Sequence, residues 1–399
     1  MTITGTTTSA EIFTDNIEES ALNWVTSLCD HPAMAGVPIV QMPDVHAGNS
    51  CNVGTAYPIG AYVNPDHVGV DIGCTIFMHK LSTTVNPDDY ALLDHRIREI
   101  IPTGPNLCAK NSLNEKELFK FLNSQYRKAR SSAPDLINEA PRIEARFISD
   151  FCRRIKLQEG IFYKSLGTLG GGNHFIEYGE DEKSGEGWLT IHCGSRNLGV
   201  KVANYWHNIA NNPKRAEYVG FLWGEALNGY LSDMIIAQSY ALYNHQIIRD
   251  RIFAILRKLC KAKCVDSIFT PHNYISVTDE CPMLRKGAID ASEGRKVVIP
   301  FNMRDGIAIC IGKGNEKWLN TAPHGAGRIM SRAQARKQIE MDDYRQTMSD
   351  VFSTSICEST LDESPMAYKP TEEILELIKP TVDIISMIKP KLNIKDNGE

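Results

Sequence analysis

Apolar spacing predicts short strands first and helices afterwards. Residues 37–42, 53–63 and 75–81 are rich in branched and aromatic side chains, with Gly and Pro between them, which predicts strands. Residues 87–100 then put Leu92, Leu93, Ile97 and Ile100 on one face of a helix. A second helix is predicted over 113–130, where Ser112 with Glu115 three residues on has the form of a capping box. A third is predicted over 143–157. The longest helical pattern runs over 223–260 and carries Leu231, Ile235, Ile236, Leu242, Ile247, Ile252 and Leu256, with a break expected near Asn228-Gly229. Strand signals return at 188–193, 272–277, 296–301 and 307–312, and residues 371–395 are mixed. Strands and helices do not alternate strictly, which argues against a doubly wound parallel sheet. The expectation is one α+β domain over residues 1–399, with mixed sheets flanked by helices, because no Pro/Gly/Ser-rich linker divides the chain.

The 399 residues are 42% hydrophobic and 23% charged, as in a globular protein with a sizeable core. The net charge of -5 counts mildly against a nucleic-acid partner, but local clusters set contact with phosphates. Such clusters are Arg153, Arg154 and Lys156; Arg257, Lys258, Lys261 and Lys263; and Arg328, Arg332, Arg336 and Lys337. Each is also compatible with a solvated helix face. The 11 cysteines are scattered, which points to a reducing, cytoplasmic setting. No basic start followed by an apolar run is present, and no stretch is long and apolar enough to span a membrane.

Chemistry concentrates in six segments where Gly, His, Asp and Cys cluster. They are Met42 to Gly48, Gly69-Val70-Asp71-Ile72-Gly73-Cys74, Gly170 to Glu177, His192-Cys193-Gly194-Ser195-Arg196, Pro271-His272-Asn273-Tyr274 and Pro323-His324-Gly325-Ala326-Gly327-Arg328. Glycine lets backbone approach a ligand closely, and a histidine beside it is held with little bulk around it. Recurring histidines in this setting, with Asp71 three residues before Cys74, favour a metal site. One Cys, one Asp and several His do not make a closed structural zinc site; a mixed, open site implies Lewis-acid catalysis. Cys260 and Cys264 lack a second pair and read as structural. Gly167-Thr168-Leu169-Gly170 is a weak phosphate-loop signal without the Gly-Lys-Ser/Thr ending.

Taken together, the motifs GVDIGC, GTLGGGNHFIE, His192-Cys193-Gly194-Ser195-Arg196 and APHGAGRxMSR, in this order, resemble the RtcB family of RNA-splicing ligases from about residue 37 to Lys395. The resemblance implies a GTP- and Mn²⁺-dependent ligase with a central metal and nucleotide cleft. It would join an RNA 3′-phosphate or 2′,3′-cyclic phosphate to a 5′-hydroxyl, in tRNA splicing or RNA repair. His324 would carry GMP. Two manganese ions would be held by Asp71, Cys74, His174, His192 and His272, with the Cys74 thiolate between them. Asn173, Glu177, Asn273, Tyr368 and Lys395 would contact GTP, Tyr368 by stacking and Glu177 and Lys395 at guanine. Arg196 and Arg328 would face phosphates, and Asp44 would lie near the reacting RNA end. An archease-like activator is a further partner the resemblance raises.

The chain departs from the family pattern in three places. Pro300 to Gly306 stands where a Gly-Ser-Met-Gly stretch is common, Pro271 precedes His272 where many members have a second His, and four residues follow Lys395. All proposed metal ligands and His324 remain. Read from the residues alone, a metal-dependent phosphodiesterase or hydrolase, and a non-catalytic protein that binds RNA ends, stay open.

Overall fold

The computed structural model describes residues 1–48, 50–109, 114–214, 217–277 and 281–398. Two larger sheets organise it. A six-stranded sheet runs in the order Thr2–Thr4, Ser9–Ile12, Ile39–His46, Val53–Pro58, Met283–Lys286, Asn273–Ser276. A seven-stranded sheet, antiparallel throughout, runs Cys264–Pro271, Thr75–Leu81, Gly187–Cys193, Phe175–Asp181, Val382–Ile394, Gly306–Gly312, Lys296–Asn302. Its two edge strands approach each other. Lys296 Nζ lies 2.6 Å from Asp266 Oδ2, and the Val298 N–H donates to Thr270 Oγ1 at 3.2 Å. The sheet therefore curls towards closure, which protects both edges.

The helix Gly224–Cys260 runs unbroken for 37 residues, about 55 Å at 1.5 Å per residue. The expected break at Asn228-Gly229 is absent. Gly229 has a packing role instead: a Cβ there would come within 2.6 Å of the Trp206 ring. From this helix, Asn244 donates to the Thr168 carbonyl at 3.1 Å, and His245 Nε2 to the Cys193 carbonyl at 2.8 Å. The helix thus braces two of the glycine-containing segments from behind.

Other elements refine the expectations. The predicted 87–100 helix is a short 3-10 turn followed by Tyr90–Ile100, and the 143–157 helix is Ala145–Arg154. The Ser112 capping box falls outside the described residues, and the helix Glu115–Ser132 follows Asn114 without a side-chain cap. Predicted strand 272–277 is the strand Asn273–Ser276, and His272 sits at the corner between it and the preceding strand Cys264–Pro271. The mixed tail contains the 13-residue strand Val382–Ile394, which joins the two halves of the curled sheet. Pro390, which lacks an N–H, sits where the register with Phe175–Asp181 shifts, so a bulge absorbs it.

Candidate metal and nucleotide site

Strand register brings the metal-type ligands to one end of the curled sheet. Thr75, directly after Cys74, pairs with both Cys193 and Pro271, the neighbours of His192 and His272. Phe175 pairs with His192 and sets His174 beside it. Asp71 and Cys74 share one turn, closed by the Cys74 N–H to the Asp71 carbonyl at 3.2 Å. The result is two overlapping groups, Cys74 with His192 and His272, and Asp71 with Cys74 and His174; within each, the ligand atoms lie within 4.8 Å of one another.

The donor chemistry fits divalent cations. His174 Nδ1–H donates to the Leu169 carbonyl at 3.0 Å, and His192 Nδ1–H to the Asn173 carbonyl at 3.1 Å. Each ring therefore turns an Nε2 lone pair towards the cluster, the arrangement that outer hydrogen bonds impose on metal-binding histidines. His192 Nε2 lies 3.2 Å from both Cys74 Sγ and His272 Nε2, and His174 Nε2 lies 2.9 Å from Asp71 Oδ2. Burial holds the imidazoles of His192 and His272 well below the usual histidine range, which keeps them neutral. Burial and then Asp71 push the Cys74 thiol up, so a thiolate there needs a cation beside it. Cys74 belongs to both groups, as a bridging ligand between two ions must.

His324 stands next to this cluster, its ring centroid 5.1 Å from that of His272. Its Nδ1–H donates to Asp44 Oδ2 at 2.7 Å, and Asp44 is fully buried. That bond leaves Nε2 with the free lone pair. A cavity of about 590 Å³ opens from here, lined by His192, His272, His324, Asn173, Glu177, Asn273, Arg328, Tyr368 and Lys395 among others. Nine of the sequence-derived site residues thus share one wall with residues the sequence reading passed over. The latter include Lys286, Arg332, Glu363 and Asn393.

At its far end the cavity carries a network of charges. Glu363 accepts from Lys395 Nζ at 2.9 Å, Tyr368 OH at 3.0 Å and Arg332 Nη1 at 2.6 Å. Burial would raise the Glu363 carboxyl, but Lys395 and Arg332 hold it down to about 2. The Arg328 guanidinium lies over the Tyr368 ring, 4.9 Å from its centroid. Glu177 is different. Burial pushes its carboxyl up to about 8, against the hydrogen bond from Asn393 and the charge of Lys395. Its Oε2 accepts from Asn393 at 2.8 Å, whereas its buried Oε1 has no hydrogen-bond partner among the described residues. An orphaned acceptor facing a cavity beside Tyr368 and Lys395 suits a base edge with two N–H donors.

Three expectations sit differently. Arg196 does not line the cavity; it donates to Thr168 Oγ1 at 3.1 Å and to the Gly104 carbonyl at 2.8 Å. The Gly167–Gly170 loop points its N–H groups inward, Gly167 to Asn244 Oδ1 and Leu169 to the Pro102 carbonyl, so it places His174 rather than cradling a phosphate. Pro300 to Gly306 forms a closed hairpin. Asn302 and Thr371 both donate to Asp305 Oδ2, while Phe301 and Met303 face the cavity. Cys260 and Cys264 belong to no metal-ligating group among the described residues.

The family described as tRNA-splicing ligase RtcB matches residues 27–396. "RNA-splicing ligase RtcB" of Escherichia coli strain K12 is 28% identical over 369 residues, spanning 84% of this chain and 85% of that protein. "RNA-splicing ligase RtcB1" of Escherichia coli strain ATCC 25922 is 29% identical over 371 residues, with the same two shares. "tRNA-splicing ligase RtcB" of Nanoarchaeum equitans is 25% identical over 402 residues, spanning 85% of this chain and 83% of its own length.

Proposed function

The chain belongs to the RtcB family of tRNA-splicing ligases, and from that premise we propose that it joins RNA 3′-phosphate or 2′,3′-cyclic phosphate ends to 5′-hydroxyl ends, with GTP as co-substrate and His324 as the residue that carries GMP. The observation that carries this reading is the setting of His324. Its Nδ1 is engaged by buried Asp44, and its ring stands beside the metal-type cluster at the mouth of a nucleotide-sized cavity.

The steps follow from that setting. His324 Nε2 attacks the α-phosphorus of GTP, forming an N–P bond as the bond to pyrophosphate breaks. Positive charge grows in the imidazole, and the Asp44 carboxylate opposes it while keeping the Nδ1 proton in place. A cyclic end first takes up water at phosphorus, breaking the bond to the 2′-oxygen, which leaves as the 2′-hydroxyl. An oxygen of the RNA 3′-phosphate then takes the guanylyl group from Nε2, giving a 3′ end capped by GMP and a free imidazole. The 5′-hydroxyl attacks the capped 3′-phosphorus, loses its proton and releases GMP. Manganese held by Asp71, Cys74, His174, His192 and His272 would supply Lewis-acid charge for the crowded phosphate oxygens.

The remaining wall binds and orients. Glu177 Oε1 accepts from the guanine N1–H and N2–H, Tyr368 offers its ring face, and Lys395 stays on hand for the guanine carbonyl. Asn173 and Asn273 line the passage between base and metal, and Arg328 and Lys286 offer positive charge to phosphates. Arg196 contributes to phosphates only if its guanidinium leaves Thr168 and the Gly104 carbonyl.

The test is ligation itself. Two RNA fragments, one ending in a 2′,3′-cyclic phosphate and the other starting with a 5′-hydroxyl, are incubated with protein, Mn²⁺ and either GTP or ATP. A joined product with GTP alone is expected. Opening of the cyclic phosphate without joining would move the assignment to a phosphodiesterase.

A further inference from the structure

Lys369 follows the cavity-lining Tyr368, yet its side chain is buried, with the residue 4% exposed. Its ammonium donates to three main-chain carbonyls: Pro43 at 3.0 Å, Asn16 at 3.1 Å and Val45 at 3.3 Å. An ammonium has three N–H donors, so this set is complete. Two of the acceptors are the immediate neighbours of Asp44.

Those carbonyls are available for a reason. The strand Ile39–His46 pairs with Val53–Pro58 through Val40 and Gln41 and again at His46, with a register shift between. On its other side, pairing with Ser9–Ile12 ends at Gln41. The segment carrying Asp44 is therefore released from both ladders, and Pro43 has no N–H to rejoin one. Its side chains Met42 and Val45 are buried, but its carbonyls at Pro43 and Val45 need partners from outside the ladders. Lys369 supplies that partner, while the Asp44 carboxylate meets His324 at 2.7 Å.

Lys369 also holds the other half of the pair. Its backbone N–H donates to the Gly327 carbonyl at 3.0 Å, three residues beyond His324. Gly327 has φ +74°, and a Cβ there would lie 2.4 Å from the Asp44 carbonyl oxygen. The two loops are thus in backbone contact, and one residue fastens both.

We propose that Lys369 is the positioning residue for the nucleophile: its ammonium fixes the Pro43–Val45 turn so that the Asp44 carboxylate engages His324 Nδ1. The proposal rests on the reading of His324 given above for its kinetic consequence, but not for the geometry it governs. Lys369 does not line the cavity; it acts through Asp44.

A double-mutant cycle separates this role from general structural support, because residues acting through one another are non-additive. Full-length, manganese-loaded Lys369→Met, Asp44→Asn and the double variant are compared in a single turnover of label transfer from α-phosphate-labelled GTP to protein. Lys369→Met is expected to slow transfer at saturating GTP on the order of 100-fold, the scale of a misplaced reacting group. Half-saturation by GTP should change less than about threefold, since the base subsite is untouched. The double variant should be no slower than Asp44→Asn alone. Multiplicative losses in the double variant, or a loss confined to GTP half-saturation, overturn the proposal.

If Lys369→Met does not fold, Lys369→Arg, which keeps the charge but not the three-carbonyl geometry, goes through the same cycle. If the wild type takes up no label, the ligase reading fails by itself, and a crystal structure of the variant decides the positioning claim. A His324–Asp44 separation beyond about 3.5 Å supports it, and an unchanged 2.7 Å contact overturns it.

Discussion

The two ends of the cavity balance charge in opposite ways. At the metal end, Cys74, His174, His192 and His272 turn lone pairs towards one another beside the Asp71 carboxylate, and the charges of Arg196 and Lys286 reach Asp71 and Cys74 from outside the ligand set. At the end proposed for guanine, Glu363 and Asp362 are already met by Lys395, Arg332 and Arg336. The first is a set of donors open to an ion; the second is held by direct ion pairs of its own. Removing an ion should therefore unsettle the fold as well as the chemistry, whereas removing one charge from the guanine end should loosen recognition and leave the fold in place.

The sharpest break in this contrast is Cys74→Ala. It removes the donor shared by both groups, so bound manganese should fall to near zero and joining should stop. In the wild type, chelation should lower the thermal midpoint by at least a few degrees, as loss of a tight native-state ligand does. Elemental analysis and calorimetry check both. A Cys74→Ala protein that keeps two manganese ions would remove the bridging role.

A smaller effect is expected at the other end. Glu363→Gln takes one charge from a closed network, freeing Lys395 and Tyr368 from their common acceptor. Half-saturation by GTP should rise about tenfold, the scale of a lost charge-assisted hydrogen bond, with manganese content unchanged. Titration calorimetry with GTP reads this. An equal loss of manganese would mean that the two ends are not independent.

A further contrast is a pH dependence. Burial raises Glu177 to about 8, so below that pH the free cavity holds it protonated. Guanine N–H donors require the ionised carboxylate, so binding between pH 6 and 8 releases a proton. GTP affinity should rise with pH by up to about tenfold per unit across that window and level off above it. Calorimetry in buffers of different ionisation enthalpy counts the proton; Glu177→Gln should bind more weakly and lose the slope.

The metal end was far more legible in the sequence than the guanine end. Asp71, Cys74, His174 and His192 each sit in a glycine-containing segment, a local signal that survives without knowledge of the fold, and His272 adds a further histidine between Pro271 and Asn273. Their grouping into two sets sharing Cys74 depends on the Thr75–Cys193 and Thr75–Pro271 pairings, which no local pattern reveals. Glu363 and Lys369 are ordinary charged residues in a polar stretch; their meaning comes from burial and from partners such as Lys395 and Pro43, 32 and 326 residues away. Tyr368 and Lys395 were found by family resemblance alone.

The fold divides similarly. The helix Gly224–Cys260 follows from its apolar spacing, while its continuity through Gly229 depends on where Trp206 packs. The strand Phe175–Asp181 was hidden because its start reads as a ligand loop. Val382–Ile394 was hidden because Lys389, Pro390 and Lys391 interrupt an apolar run whose buried positions nonetheless alternate at Ile388, Pro390 and Leu392.

The central claim is that His324 carries GMP, and label transfer tests it most directly. Protein is incubated with Mn²⁺ and GTP labelled on the α-phosphate, then resolved on a denaturing gel beside His324→Ala. Label retained by the wild type and absent from the variant is the predicted result. An unlabelled wild type with manganese confirmed in place, or a variant labelled as strongly as the wild type, would contradict it.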